Sequence, residues 1–171
     1  MTEDKKKEII EGVVKQAVDA QIRFDTCAWS TLYGLSTYFK FIPQEMVAAS
    51  RALSGGVASS GCSCGALCSG ALALGAKYYP TVEEDLNDAP DAPQKRDLAF
   101  SKIFRLRDAF MAEYGSLLCS GVQKCIYGRS FNLLDDKERD EFLNLPGHEE
   151  QCAKVVATAV RLTAELLLED E

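Results

Sequence analysis

The sequence predicts an all-α protein, an antiparallel bundle of about five helices, and three observations carry that prediction. Apolar residues recur at three- and four-residue steps in several windows, those windows read as helices rather than strands, and prolines and glycines fall between them. From Glu3 to about Gln21, Ile10, Val13, Val14 and Ala17 form one stripe. A second window follows Asp25, read as its N-cap, and carries Cys27, Ala28, Leu32 and Leu35. Pro43 opens a third, PQEMVAASRALSGG, with proline in the first turn and the Gly55-Gly56 pair beyond the end.

Val57 to Ser63 is rich in turn residues and leads into CGALCSGALALGAKYY, whose small residues let another helix backbone come close before Pro80 ends the run. The stretch TVEEDLNDAPDAPQ is acidic and holds Pro90 and Pro93, so it reads as a surface connection. Beyond it Ile103, Leu106, Phe110, Tyr114 and Leu117 define the clearest amphipathic helix, with Lys102, Arg105, Asp108 and Glu113 elsewhere around the wheel. The charged segment DDKERDEFLNLPG precedes a last helix, where Cys152, Val155, Val156, Ala159, Leu162, Thr163 and Leu166 share a face. Residues 1–171, 47% hydrophobic, are expected to form a single domain, because neither side of the acidic connection looks self-sufficient.

Charge and hydropathy exclude several functions. The 19 Lys and Arg stand against 26 Asp and Glu, a net charge of −7, so no diffuse positive field is available for nucleic acid. The opening MTEDKKKEIIEG lacks the apolar core of a secretory signal, and no window of about 18 apolar residues occurs, so a cytoplasmic protein without a membrane partner is expected.

The chemistry is in the thiols: seven cysteines, three of them (Cys62, Cys64 and Cys68) within seven residues. An odd count cannot pair fully within one chain, and a reducing compartment favours thiols that bind metal or do redox work. A lone free cysteine is ordinarily a small buried hydrophobe, and Cys27, Cys119, Cys125 and Cys152 could each be that; the cluster shifts the balance. On one helix face Cys64 and Cys68 would have Cβ atoms roughly 5–6 Å apart, wide for a disulfide but within the span of a metal centre. A helix start at Cys64 also favours thiolate over thiol.

Spacing removes competing sites. No C-x-x-C is present, which argues against a thioredoxin-type site, a zinc ribbon and the bacterial ferredoxin run. His148, the only histidine, is expected to be a surface or capping residue. GALALGAK has the glycine spacing of a phosphate loop but places Ala76 at the lysine position and Tyr78 after Lys77.

The cysteine order resembles the redox-active family named for a cysteine, a G-C-A-x-x-G motif, and two further cysteines; it is similar also to the cysteine-bearing part of split-Soret cytochromes. The residues that carry the resemblance are TCAWSTLYG with Cys27, Gly55-Gly56 ahead of CGALCSGALALG with Cys64, FMAEYGSLLC with Cys119, and EEQCAKVV with Cys152. The chain departs from the pattern at Ser69, where the family has glycine, and Cys62, Cys68 and Cys125 are additional thiols. The resemblance implies that Cys27, Cys64, Cys119 and Cys152 come together to hold an iron–sulfur cluster, with Cys62, Cys68 and Cys125 as further candidate metal ligands. It implies electron transfer with a redox partner protein or an oxidoreductase, and exposed small-residue helix faces leave room for a homodimer. The residues also leave open metal-free thiol–disulfide chemistry with Cys64 attacking, soft-metal binding of copper or zinc, and a purely structural bundle.

Overall fold

In the computed structural model, which describes residues 1–171, nine helices carry the chain: α1 (Glu3–Phe24), α2 (Cys27–Ser36), α3 (Gln44–Ser50), α4 (Gly65–Tyr78), α5 (Val82–Leu86), α6 (Ala92–Tyr114), α7 (Cys119–Tyr127), α8 (Asp136–Leu143) and α9 (His148–Leu168). The only extended pairing is an isolated bridge between Ser63 and Leu118, so the all-α class holds, with nine helices in place of about five. The short elements α3, α5, α7 and α8 are too brief to leave a long apolar stripe in the sequence. No helix is long and apolar enough to cross a membrane.

Helix α1 starts at Thr2, whose hydroxyl accepts the Lys5 N–H, and carries Glu3 and Asp4 in its first turn, where the macrodipole favours acid. It ends differently from the sequence expectation. Asp25 is the left-handed C-cap of α1 (φ 45°), its N–H returning to the Gln21 carbonyl, and Thr26 precedes α2 instead. Asp25 adopts this conformation because short polar side chains tolerate it best after glycine.

Helix α4 packs against α2, α6 and α9. At Gly70 an added Cβ would overlap the Thr163 hydroxyl and lie 3.0 Å from a Leu106 methyl, so glycine sets the close approach of α4 to α9 and α6. Helices α1 and α2 close the other side against α9. Leu32, Leu35, Leu74, Leu106, Phe110, Val156 and Val160 are fully buried between these elements, each stabilising the fold by about 1.5–3 kcal/mol. A smaller cluster of Phe131, Leu133 and Phe142 lies beside Tyr127, Leu145 and Cys152.

The acidic connection is more ordered than its composition suggests. Thr81 and Glu84 form a reciprocal capping box that starts α5, and α6 begins at Ala92, taking Pro93 into its first turn. Leu117 falls beyond the end of α6, which stops at Gly115 in the left-handed region. Lys102, expected on the polar face, is 4% exposed. Its ammonium reaches the carboxylates of Glu169 and Asp170 at 2.9 Å each, and the Leu166 carbonyl at 3.1 Å.

Candidate functional site

The segment before α4 reverses the chain by an uncommon route. Gly55, Gly56, Val57, Ala58 and Ser59 all have positive φ, a single left-handed turn that costs roughly 1–2 kcal/mol for each non-glycine residue. Backbone bonds from Val57 N to Leu53 O, Ser59 N to Ser54 O and Cys62 N to Gly56 O offset that cost. The chain then lies beside the start of α7: Cys64 N donates to Leu117 O at 2.8 Å, Cys119 N to Cys62 O at 2.6 Å and Ser120 N to Gly61 O at 3.2 Å. These bonds hold the two cysteine-bearing segments together.

Gly65, the glycine of C-G-A, is the second device. A Cβ there would lie 2.7 Å from the Leu53 carbonyl and 3.0 Å from the Cys27 sulfur, so only glycine lets the start of α4 press against the start of α2. Four thiols thereby meet at helix beginnings: Cys27 is the first residue of α2, Cys64 the N-cap of α4, Cys119 the first residue of α7, and Cys152 lies in the second turn of α9. They line one cavity of about 280 Å³, walled otherwise by apolar side chains that include Val122, Ile126, Leu133, Phe142 and Val155 and by polar ones that include Gln21, Asp25, Ser54, Gln123 and Arg139.

Cys62, Cys68 and Cys125 are not on that wall; Cys62 and Cys125 are exposed and Cys68 is half-buried on α4. The four cavity thiols surround a space and do not crowd a point: no three His, Cys, Asp or Glu side chains converge closely enough to chelate a single ion.

Burial dominates the acidity of these thiols. It pushes Cys119 and Cys152 up to about 12 and Cys64 well above the ordinary thiol range, and it raises Cys27 as well. Neighbouring sulfurs add to the effect, Cys27 raising Cys64, Cys119 and Cys152. The expectation that the helix start makes Cys64 a thiolate therefore fails: the Leu67 and Ala66 amides do pull its pKa down, but desolvation outweighs them.

Polar groups nevertheless stand beside each sulfur. The Gly55 amide and Ser54 hydroxyl pull the Cys27 pKa down and the Leu67 and Ala66 amides that of Cys64, the Gln123 side-chain amide donates to Cys119 at 3.6 Å, and the Tyr127 hydroxyl lies 3.3 Å from the Cys152 sulfur.

Polar residues join the cavity wall at Gln21 and Asp25, with His148 behind Asp25. His148 is buried, contrary to a surface role: its Nε2 meets Asp25 Oδ2 at 3.0 Å, and its ring lies edge-on to Phe142 and parallel to Tyr127. Gln21 is 1% exposed and donates to Asp25 Oδ1 at 2.9 Å, while its Oε1 has no partner. Helical spacing was the signal for several of these: Gln123 stands four residues after Cys119, Tyr127 four after Gln123, and His148 four before Cys152. Asp25 and Gln21 carry no such signal, because α1 meets α9 only in the folded chain.

Fold and site define a class: an all-α protein whose four helix-start cysteines line one cavity. The chain belongs to the family described as "Putative redox-active protein (C_GCAxxG_C_C)", whose pattern matches residues 26–166 and so spans all seven cysteines. Neither the curated proteins nor the solved structures include a significant match to it.

Proposed function

We propose that this redox-active family member holds an iron–sulfur cluster in the cavity through Cys27, Cys64, Cys119 and Cys152, and exchanges electrons with a redox partner protein or an oxidoreductase. The observation that carries this reading is the grouping of four thiols from four helices on one cavity, with polar groups beside each sulfur. Sulfur-only ligands with N–H and O–H groups beside them suit such a cluster, and the surrounding shell controls its potential. When bound, the cluster supplies reversible one-electron storage.

The arrangement also fits the charge such a group brings. The starts of α2, α4 and α7 present the positive end of the helix macrodipole, which favours negative charge beside Cys27, Cys64 and Cys119. Because the thiols are held protonated in the empty protein, loading the site releases protons, and binding strengthens as pH rises. A single soft ion is less well served, since no three ligands converge. Thiol–disulfide chemistry with Cys64 attacking is disfavoured by a sulfur that is 4% exposed and neutral.

Serine replacement of each cysteine tests the ligand set. In anaerobically prepared protein, Cys27→Ser, Cys64→Ser, Cys119→Ser and Cys152→Ser should each strip or bleach the cluster, whereas Cys62→Ser, Cys68→Ser and Cys125→Ser should keep its colour and iron content. Full colour in all of the first four variants would defeat the assignment.

A further inference from the structure

The four cavity cysteines do not receive the same kind of hydrogen bond. Beside Cys27 stand the Gly55 amide and the Ser54 hydroxyl, and beside Cys64 the amides of Leu67 and Ala66. Cys119 and Cys152 are served by two side chains of α7, one turn apart, Gln123 and Tyr127.

Both side chains are held for the task. Gln123 is 3% exposed, and its Oε1 accepts the Phe131 N–H at 2.9 Å, so the amide can face Cys119 only with its NH₂ group. Tyr127 has one hydroxyl proton and two acceptors: the His148 carbonyl at 3.0 Å and the Cys152 sulfur at 3.3 Å. While Cys152 is a neutral thiol, the Tyr127 proton can stay on the carbonyl and accept the S–H in return. Once that sulfur carries negative charge, the hydroxyl must turn to it, because a charged acceptor makes the stronger bond.

We propose that Gln123 and Tyr127 are positioning residues that set the redox potential of the centre, stabilising its electron-rich state through hydrogen bonds to Cys119 and Cys152. The inference rests on the cluster reading above. Both bonds strengthen as negative charge accumulates on sulfur, so they favour the reduced form and raise the potential. The two act at neighbouring sulfurs from one face of one short helix, so side chains of α7 adjust the potential from that side of the centre.

The test uses anaerobically purified Gln123→Leu, Tyr127→Phe and the double variant. Iron, acid-labile sulfide and thermal stability are measured first, and the midpoint potential is then followed by redox titration of the visible spectrum. The expected result is a centre retained at the wild-type iron and sulfide content, with a potential shifted to more negative values in each single variant and furthest in the double. An intact centre with an unchanged potential in both single variants would overturn the proposal.

Absence of iron and sulfide from the wild-type protein, after attempted reconstitution, would instead overturn the cluster reading. The hydrogen bonds are then judged on the metal-free chain, as they are for any variant that loses its centre. The probe is iodoacetamide, with alkylation at Cys119 and Cys152 read by peptide mass spectrometry relative to exposed Cys62. Stabilised thiolates predict that Gln123→Leu slows Cys119, and Tyr127→Phe slows Cys152, by about tenfold, in line with a hydrogen bond to a charged group. Unchanged relative rates would sink the assignment in that case too.

Discussion

At its N-terminal end α9 faces sulfur and open space, whereas at its C-terminal end it is packed solid and tied by charge. The first two turns present buried His148 to Asp25 and Cys152 to the cavity. The last turn buries Leu166, Leu167 and Leu168 and delivers Glu169 and Asp170 to Lys102. Carboxylates at a helix C-terminus oppose the macrodipole, so that end needs its cations. Lys102 from α6 meets both acids, Arg105 pairs with Glu169, and the Tyr78 hydroxyl of α4 donates to Asp170 at 2.8 Å. One helix thus separates two tasks: its closed end fixes α4, α6 and α9 against one another, and that rigidity allows the other end to keep four thiols around a cavity.

The comparison breaks most completely at the open end with Gly65→Ala. The new methyl meets the Leu53 carbonyl and the Cys27 sulfur, so the turn after α3, the start of α2 or α4 itself must shift. Overpacking of this kind costs about 1–3 kcal/mol, and the larger effect should be loss of bound iron; calorimetry and metal analysis of the same preparation check both. At the closed end, Lys102→Met should lower stability by about 2 kcal/mol through the lost charged hydrogen bonds, measured by denaturant unfolding, with the order of thiol reactivity around the cavity unchanged. If Lys102→Met also disordered the thiols, the two ends would not be separable.

Opposite ends of the pH scale should sharpen the same contrast. Ion pairing with Arg105 and Lys102 holds Glu169 down at about 2 against an ordinary 4.5, and Lys102 with Tyr78 also lowers Asp170. A depressed carboxylate stabilises the fold above its unfolded pKa, so the closed end should weaken as pH falls from 4.5 toward about 2. Burial raises Cys119 and Cys152 from 9.0 to about 12, so the metal-free open end should weaken as pH climbs through that interval. Melting temperatures across both ranges check this, and Lys102→Met should blunt only the acid limb. The smallest effect concerns reactivity at neutral pH in the metal-free protein, where exposed Cys62 and Cys125 should alkylate well before the four cavity thiols.

The same contrast marks what was legible in the sequence. Helices α1 and α9 announce themselves because each is over twenty residues long and turns an apolar stripe to one core. Helix α7 does not: its nine residues include Ser120, Gln123 and Lys124, and its place follows from the pairing of Cys62 with Cys119 through the backbone. The capping box of α5 was readable as Thr81 and Glu84 three apart, yet the prolines around it dominated the reading. Lys102 looked solvated because its partners lie more than sixty residues away.

At the site, the cysteine order singled out Cys27, Cys64, Cys119 and Cys152 through family resemblance, and these are the four on the cavity wall. The positions of Cys62, Cys68 and Cys125, and the neutral state of Cys64, depend on burial. Burial is a tertiary property that spacing does not encode.

The central claim is that the four thiols hold an iron–sulfur cluster, and the most direct measurement is iron and acid-labile sulfide per chain on protein purified without oxygen, with the visible spectrum of the same sample. Stoichiometric iron with near-equal sulfide and broad visible absorbance is the predicted result. A colourless protein free of both, after anaerobic handling and attempted reconstitution, would contradict the account.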